Sequence, residues 1–135
     1  MTASLPPNPP HPRVAPDANG SGLDPRALAK LRELDPDGRH GVLPRVLGAY
    51  EASLLRFQPQ VADVWARRDR KAIGDMAHTL KSSSASVGAL ALSALCADIE
   101  HAVRAGDTLP LDAQVIALQE EAARVLVSVR AMLRA

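Results

Sequence analysis

Apolar residues recur at steps of three and four through most of this 135-residue sequence, and this spacing is the feature that most limits the possible folds. The same period runs through segments 42–64 and 70–88, from Leu92 to Val103, and from Leu111 to Leu133. No segment alternates convincingly at period two, the spacing of a half-buried strand. In the segment 70–88, the expected apolar face consists of Ile73, Met76, Ala77, Leu80, Ser84 and Val87. The pattern therefore predicts amphipathic helices around one core.

Capping and turn residues divide the periodic sequence into five helices. Asp24 followed by Pro25 is typical of the start of a short first helix, and Asp69 is a candidate cap for the third, which Gly88 closes. We expect Pro59 to kink or split the second helix, because proline lacks the N–H donor and its ring clashes with the preceding turn. Short connections between four long helices predict an all-α fold, an antiparallel four-helix bundle with a short N-terminal capping helix.

Composition divides the chain into a tail and one domain. Only 2% of the residues are aromatic, so the core must be filled mainly by Leu, Val, Ile and Ala, which favours packed helices over a sheet. Residues 1–22 contain six prolines and no sustained apolar period. We predict a disordered Pro-rich tail over 1–22 and a single globular domain over 23–135. A docking peptide in polyproline II conformation is the alternative interpretation of the tail.

The charge and the missing motifs exclude several classes of function. Sixteen basic residues stand against fifteen acidic ones, so there is no excess positive field for nucleic acid or an anionic membrane, and protein partners are expected. Cys96 is the single cysteine, which excludes an intrachain disulfide. No apolar stretch approaches the length of a membrane span, so we expect a cytoplasmic protein. The sequence has no phosphate-binding glycine loop, and we expect neither a nucleotide cofactor nor phosphorylation from ATP.

His78 is the candidate reactive residue. It follows the core residue Ala77 by one position, about 100° around the helix axis, so its side chain leaves the apolar face among mostly short neighbours. A neutral imidazole is a nucleophile near pH 7, and Lys81 at i+3 can offset the charge of a phosphoryl group. Ser82 at i+4 has a hydroxyl that can donate to a phosphoryl oxygen. Taken alone, these residues fit an ordinary surface histidine equally well.

A longer string around His78 favours the chemical interpretation. It consists of Ala-His-Thr-Leu-Lys-Ser-Ser-Ser at 77–84, followed by Gly88, Ala89, Leu92, Leu95, Cys96, Ile99 and Glu100. This string resembles the histidine-containing phosphotransfer (HPt) domain family, with the most specific match between residues 76 and 100 and an architectural match over roughly 24–134. The sequence departs from the family at Ser82, where glycine is common.

The resemblance implies a phosphorelay intermediate. His78 then looks like the phosphoacceptor, Lys81 like the basic residue beside the phosphoryl group, and Gly88 like the glycine that ends the histidine-bearing helix. The implied partners are receiver domains of a hybrid histidine kinase and of response regulators, between which this phosphocarrier shuttles as a monomer. The Mg²⁺ ion is expected only in the receiver partner. The family's fold, a four-helix bundle with the histidine exposed on one long helix, agrees with the period-based prediction.

Two other functions stay open at this point. A non-catalytic helical binding module would sequester a receiver domain or another regulator without phosphotransfer. The dimerisation and phosphoacceptor hairpin of a histidine kinase is less consistent, because such hairpins usually follow the histidine with an acidic residue and Thr79 stands here.

The remaining candidates are interpreted as structural. His11, His40 and His101 form no i, i+4 pair of the kind that binds a metal on a helix. Glu100 matches the family pattern, but a salt bridge to Arg104 one turn later is the preferred interpretation. Cys96 is expected to be a small buried hydrophobe.

Overall fold

The computed structural model describes residues 22–135, and within that part of the chain every regular element is a helix. The helices are α1 (Pro25–Glu33), α2 (Val42–Ala66), α3 (Arg70–Ser86), α4 (Leu90–Ala105) and α5 (Leu111–Arg134). The predicted all-α class is confirmed. The tail predicted for residues 1–22 lies, except for Gly22, outside the described residues.

The four long helices pack as a closed ring. α3 contacts α2 and α4, and α5 contacts the same two helices from the other side. The segments 67–69, 87–89 and 106–110 that join them are short, so consecutive helices run antiparallel, as predicted. The side chains that fill the centre are mainly aliphatic, including Leu47, Leu54, Val61, Ile73, Leu92, Ile99, Leu118 and Val129. This confirms a core built with few aromatic rings.

The helix ends follow the capping chemistry of the sequence. A side-chain oxygen of Asp69 accepts a hydrogen bond from the backbone N–H of Ala72 at 3.1 Å, which caps α3. Gly106 ends α4 with a φ of 71°, the left-handed conformation that glycine adopts freely. The buried carboxylate of Asp35 accepts from the backbone N–H of Val42 at 3.2 Å, so the turn before α2 also caps that helix.

Gly88 joins the N-terminal segment to the turn between α3 and α4. The backbone N–H of Asp24 donates to the Gly88 carbonyl at 2.8 Å, and α1 continues from there to pack on α2. A Cβ atom at position 88 would lie 2.6 Å from the Asp24 nitrogen, and the φ of Gly88 is 86°. Glycine is therefore required both by the backbone conformation and by the close approach of the N-terminal segment.

α2 differs from the prediction at Pro59. The proline lies inside an unbroken helix from 42 to 66, so the expected split is wrong. Pro59 itself is exposed, while Phe57, Val61 and Val64 on either side of it are buried. Core packing on both sides of the proline holds the helix together despite the lost hydrogen bond, because tertiary contacts outweigh local propensity.

None of the helices in the described residues is long and apolar enough to cross a membrane.

Candidate functional site

His78 lies on α3 with 70% of its side chain exposed, while its neighbour Ala77 is fully buried. This confirms the angular prediction that the imidazole leaves the core face. Gly74, one turn earlier, is buried because α4 passes close by at Val103. A Cβ atom on Gly74 would lie 3.0 Å from Val103 Cγ1, so the absence of a side chain lets α3 and α4 approach tightly beside His78.

Glu100 of α4 reaches across to His78. Its Oε2 atom lies 2.6 Å from His78 Nδ1, and only 11% of the Glu100 side chain is exposed. An ionised carboxylate only accepts hydrogen bonds, so Nδ1 must be the donor. In the neutral ring this fixes the tautomer that carries its proton on Nδ1 and its lone pair on Nε2. The nitrogen that is free to react is therefore Nε2.

Lys81 binds the other oxygen of the same carboxylate. Its Nζ atom donates to Glu100 Oε1 at 2.5 Å, and 35% of the lysine side chain is exposed. The hydrogen bond from Lys81, helped by the one from His78, lowers the pKa of Glu100 against the opposing effect of desolvation. Glu100 is consequently ionised at neutral pH and accepts from both residues.

Two polar contacts hold this part of α3 in place. The Ser93 hydroxyl on α4 donates to the Lys81 carbonyl at 2.9 Å. On the opposite side, the Tyr50 and Ser84 hydroxyls share a buried hydrogen bond of 2.7 Å between α2 and α3. Burial raises the pKa of Tyr50, so the phenol stays neutral. These contacts fix the helix that presents the imidazole.

Ser82 lies one turn beyond His78 with an exposed side chain. A larger residue here would stand beside the imidazole, so the small hydroxymethyl group keeps the approach to His78 open. The donation of its hydroxyl to a phosphoryl oxygen stays a prediction.

An open cleft of about 330 Å³ runs between α2 and α3 beside the histidine. Phe57, Met76 and Leu80 contribute apolar surface to it, and Arg56 and Asp75 contribute charge. Thr79, the residue after His78, also lines the cleft. His78 thus has the carboxylate and lysine on one flank and a mixed apolar and polar depression on the other.

The other candidate residues lie elsewhere. His40 and His101 are exposed, and His11 is outside the described residues. Across residues 22–135, no three His, Cys, Asp or Glu side chains come together in a way that could hold a metal ion. Cys96 is buried in the core, and this burial raises the pKa of its thiol to about 12, which keeps it protonated and unreactive.

Glu100 is the part of the site that the sequence interpretation missed. The predicted salt bridge to Arg104 is present at 3.4 Å, but the same carboxylate also binds His78 and Lys81. A signal was available: His78 and Glu100 lie at similar separations on either side of the turn at Gly88. In an antiparallel helical hairpin, such positions face each other.

Comparison with known proteins agrees with the helical fold. The family model of the Hpt domain matches residues 45–131. Among solved structures, histidine-containing phosphotransfer protein B from Pseudomonas aeruginosa PAO1 superposes with a TM-score of 0.73 at 24% sequence identity, covering 84% of this chain and 95% of that one. At this identity the likeness shows a common fold. No curated protein matches the sequence.

Proposed function

We propose that this member of the Hpt domain family carries the phosphoryl group on Nε2 of His78. Its family membership gives the chain a histidine phosphotransfer role in two-component phosphorelays. The observation that supports this proposal most is the 2.6 Å contact between Nδ1 and Glu100, because it leaves the lone pair on Nε2 of a side chain that is 70% exposed. An exposed nucleophile on a rigid helix is what a carrier needs to meet successive partners.

The chemical step is an in-line displacement at phosphorus. The Nε2 lone pair attacks the phosphorus of an aspartyl phosphate, the N–P bond forms, and the bond from phosphorus to the aspartyl oxygen breaks as the carboxylate leaves. The ring keeps its Nδ1 proton and becomes positively charged in the product. Glu100, which accepts from Nδ1, stabilises that charge as it develops. In the reverse direction the same steps return the group to an aspartate.

The charges around His78 suit an incoming dianion. Glu100 carries one negative charge, and two cations, Lys81 and Arg104, lie within 4 Å of its oxygens. The three charges add up to a net positive charge. The phosphoryl group is therefore attracted, although a carboxylate lies beside the ring. In this proposal Lys81 and the Ser82 hydroxyl serve the phosphoryl oxygens, and transfer depends chiefly on positioning.

Hpt domains interact with receiver domains in phosphorelays, and we place the docking surface for this chain on the exposed side of α3. The cleft between α2 and α3 is lined by Thr79, the residue after His78, and it offers an apolar floor beside charged groups. A protein partner with a mixed surface fits such a cleft better than a polyanion does. The specific partners proposed are the receiver domain of a hybrid histidine kinase and that of a response regulator.

Phosphotransfer from a phosphorylated receiver domain tests the proposal. The wild-type protein is expected to acquire an acid-labile, alkali-stable label, and the variant His78→Gln is expected to acquire none. His101→Gln is the matched control, since His101 is also exposed and lies on α4, but the contact to Glu100 is made by His78. It should be labelled like the wild type.

Label that persists in His78→Gln contradicts the assignment of the phosphoacceptor. Binding of phosphorylated receivers with no label on any histidine favours the sequestering module instead.

A further inference from the structure

Arg104 is a second cation beside the histidine. Its side chain is exposed and its ion pair is long, so the residue adds little to the stability of the fold. Its guanidinium Nη2 atom lies 3.4 Å from Glu100 Oε2, the oxygen that also accepts from His78 Nδ1. The side chain is 71% exposed. An exposed ion pair at this distance contributes little stability, which leaves the guanidinium free to exchange partners at small cost.

The direction of the two helices brings this arginine to the level of the imidazole. Side chains on an α-helix lean toward its N-terminus, so Arg104 leans toward Glu100 one turn earlier on α4. On α3, Lys81 leans in the same way toward His78. Because α3 and α4 are antiparallel, the two cations approach the pair formed by His78 and Glu100 from opposite ends.

The close contact between the helices adds to the reach of Arg104. Gly74 packs against Val103, the residue before Arg104, so α3 presents no side chain at position 74, one turn before the histidine. A turn of helix rises about 5.4 Å, which an extended arginine side chain spans.

The two cations differ in how tightly they are held. Lys81 makes a 2.5 Å hydrogen bond to Glu100 and is mostly covered, whereas Arg104 makes a longer contact and is mostly exposed. When a phosphoryl dianion arrives, Arg104 gives up a weaker interaction with Glu100 by moving than Lys81 would. Its planar guanidinium also matches two phosphoryl oxygens at once, which an ammonium group does not.

From these contacts we infer that Arg104 is a phosphoryl-binding residue that leaves Glu100 and donates to the phosphoryl oxygens once Nε2 of His78 is modified. The inference rests on the proposed function, since it requires phosphohistidine at position 78. Glu100 keeps its hydrogen bond to Nδ1 and gives up only the looser one to Arg104. The arginine thus exchanges a carboxylate for a more highly charged anion.

The test needs no partner protein. Phosphoramidate phosphorylates histidine directly: Nε2 attacks phosphorus and the N–P bond to histidine forms. The P–N bond of phosphoramidate, which is protonated on nitrogen at neutral pH, breaks, and ammonia leaves. The phosphohistidine signal of the full chain is then followed by ³¹P NMR as a function of pH, which gives the midpoint of the second phosphoryl ionisation. The variants are Arg104→Gln and Arg104→Lys, with Arg124→Gln as the control because Arg124 is an exposed arginine paired to Glu121 on its own helix.

The midpoint for Arg104→Gln is expected to rise by roughly 0.5 to 1 pH unit, because a cation hydrogen-bonded to the phosphoryl oxygens favours the dianion. Arg104→Lys should recover part of the shift, and Arg124→Gln should match the wild type. A midpoint unchanged in Arg104→Gln overturns the inference and leaves the phosphoacceptor assignment intact. If the wild type forms no phosphohistidine, the proposed function fails and the inference fails with it.

Discussion

At the scale of single residues, Glu100 organises the site. One oxygen of its carboxylate binds His78 and Arg104, and the other binds Lys81. A group that is barely exposed and holds three potential cations must stay ionised, which agrees with its lowered pKa. The orientation of the imidazole therefore depends on a residue of the neighbouring helix.

Removing the acceptor at position 100 is expected to slow phosphotransfer. In Glu100→Ala the His78 ring loses the contact that fixes its tautomer, so the rate of labelling should fall by roughly tenfold, the equivalent of about one hydrogen bond. Glu100→Gln keeps an acceptor oxygen and should retain most of the rate. The initial rate of transfer from a phosphorylated receiver measures both, and equal rates for wild type and Glu100→Ala would show that orientation by Glu100 is unimportant.

The charge of Glu100 also predicts how stability changes with pH. Its folded-state pKa is below the unfolded value, so its charge contributes stability that is present above the unfolded pKa and is lost as pH falls through the folded pKa. The free energy of unfolding should therefore differ more between wild type and Glu100→Gln at pH 7 than at pH 3. Urea denaturation at the two pH values measures this, and a difference independent of pH would contradict the assigned ion pairs.

The sequence predicted roles for His78 and Lys81, but it did not predict that the Glu100 carboxylate binds both of them. The exposure of His78 followed from one step of 100° beyond Ala77, a local property of a helix. The roles of Glu100 and Arg104 depend on how two helices pack, and the i+4 spacing of these two residues favoured an explanation within α4 alone. Both contacts exist, and only the one across helices positions the histidine.

At the scale of elements, the hairpin of α3 and α4 carries the site and the turn at Gly88 sets its register. That turn also receives the N-terminal segment through the hydrogen bond from Asp24. A glycine here was predicted as the end of α3, a requirement of backbone conformation. The close approach of Asp24 was not visible in the sequence, because it joins segments that lie far apart along the chain.

Gly88→Ala tests this junction. We expect it to destabilise the protein by about 2 kcal/mol or more, since it adds a clash with the Asp24 backbone to the cost of a positive φ. Gly38→Ala is the matched control, because Gly38 has a φ of 73° with open space around it, and it should cost only about 1 kcal/mol. Equal losses for the two variants in urea denaturation would show that the Asp24 contact does not matter.

Pro59 lies inside the unbroken helix α2, and replacing it is expected to stabilise the protein. Pro59 lacks an N–H donor in the middle of a helix whose flanking residues are buried, so Pro59→Ala should stabilise the protein by about 1 to 3 kcal/mol. Pro44→Ala is the control, since Pro44 lies in the first turn of α2, where backbone N–H groups have no partner within the helix. It should change little. A loss of stability in Pro59→Ala, measured by thermal denaturation, would mean that the core requires the proline.

At the scale of the whole molecule, the period of the apolar residues was sufficient to predict the architecture. Five helices, their order and their antiparallel packing followed from spacing, caps and short connections. The buried residues of α3 lie on the predicted face except for Gly74, which is buried because α4 passes close to it. The end of the first helix is less regular: Leu34 continues the three-residue apolar spacing of Leu28 and Leu31, but it is exposed beyond the last turn of α1. The spacing of apolar residues alone does not predict where along a helix its neighbours no longer bury it.

The net charge of the chain is only +1, so the molecule as a whole has no strong electrostatic field. The field that matters for a phosphoryl group comes from a few side chains around His78 and not from the surface as a whole. In the proposed function, recognition by partners depends on the shape and chemistry of one face, the exposed side of α3 with its cleft toward α2. A single small domain can present that face to two receivers in turn.

Whether His78 carries the phosphoryl group on Nε2 can be tested directly, because the bonded nitrogen can be identified. In ¹H–¹⁵N long-range correlation spectra of ¹⁵N-labelled, phosphorylated protein, we expect phosphorus coupling to Nε2 of His78, with the Nδ1 proton retained toward Glu100. Phosphorus bonded to Nδ1, or to a histidine other than His78, would contradict it.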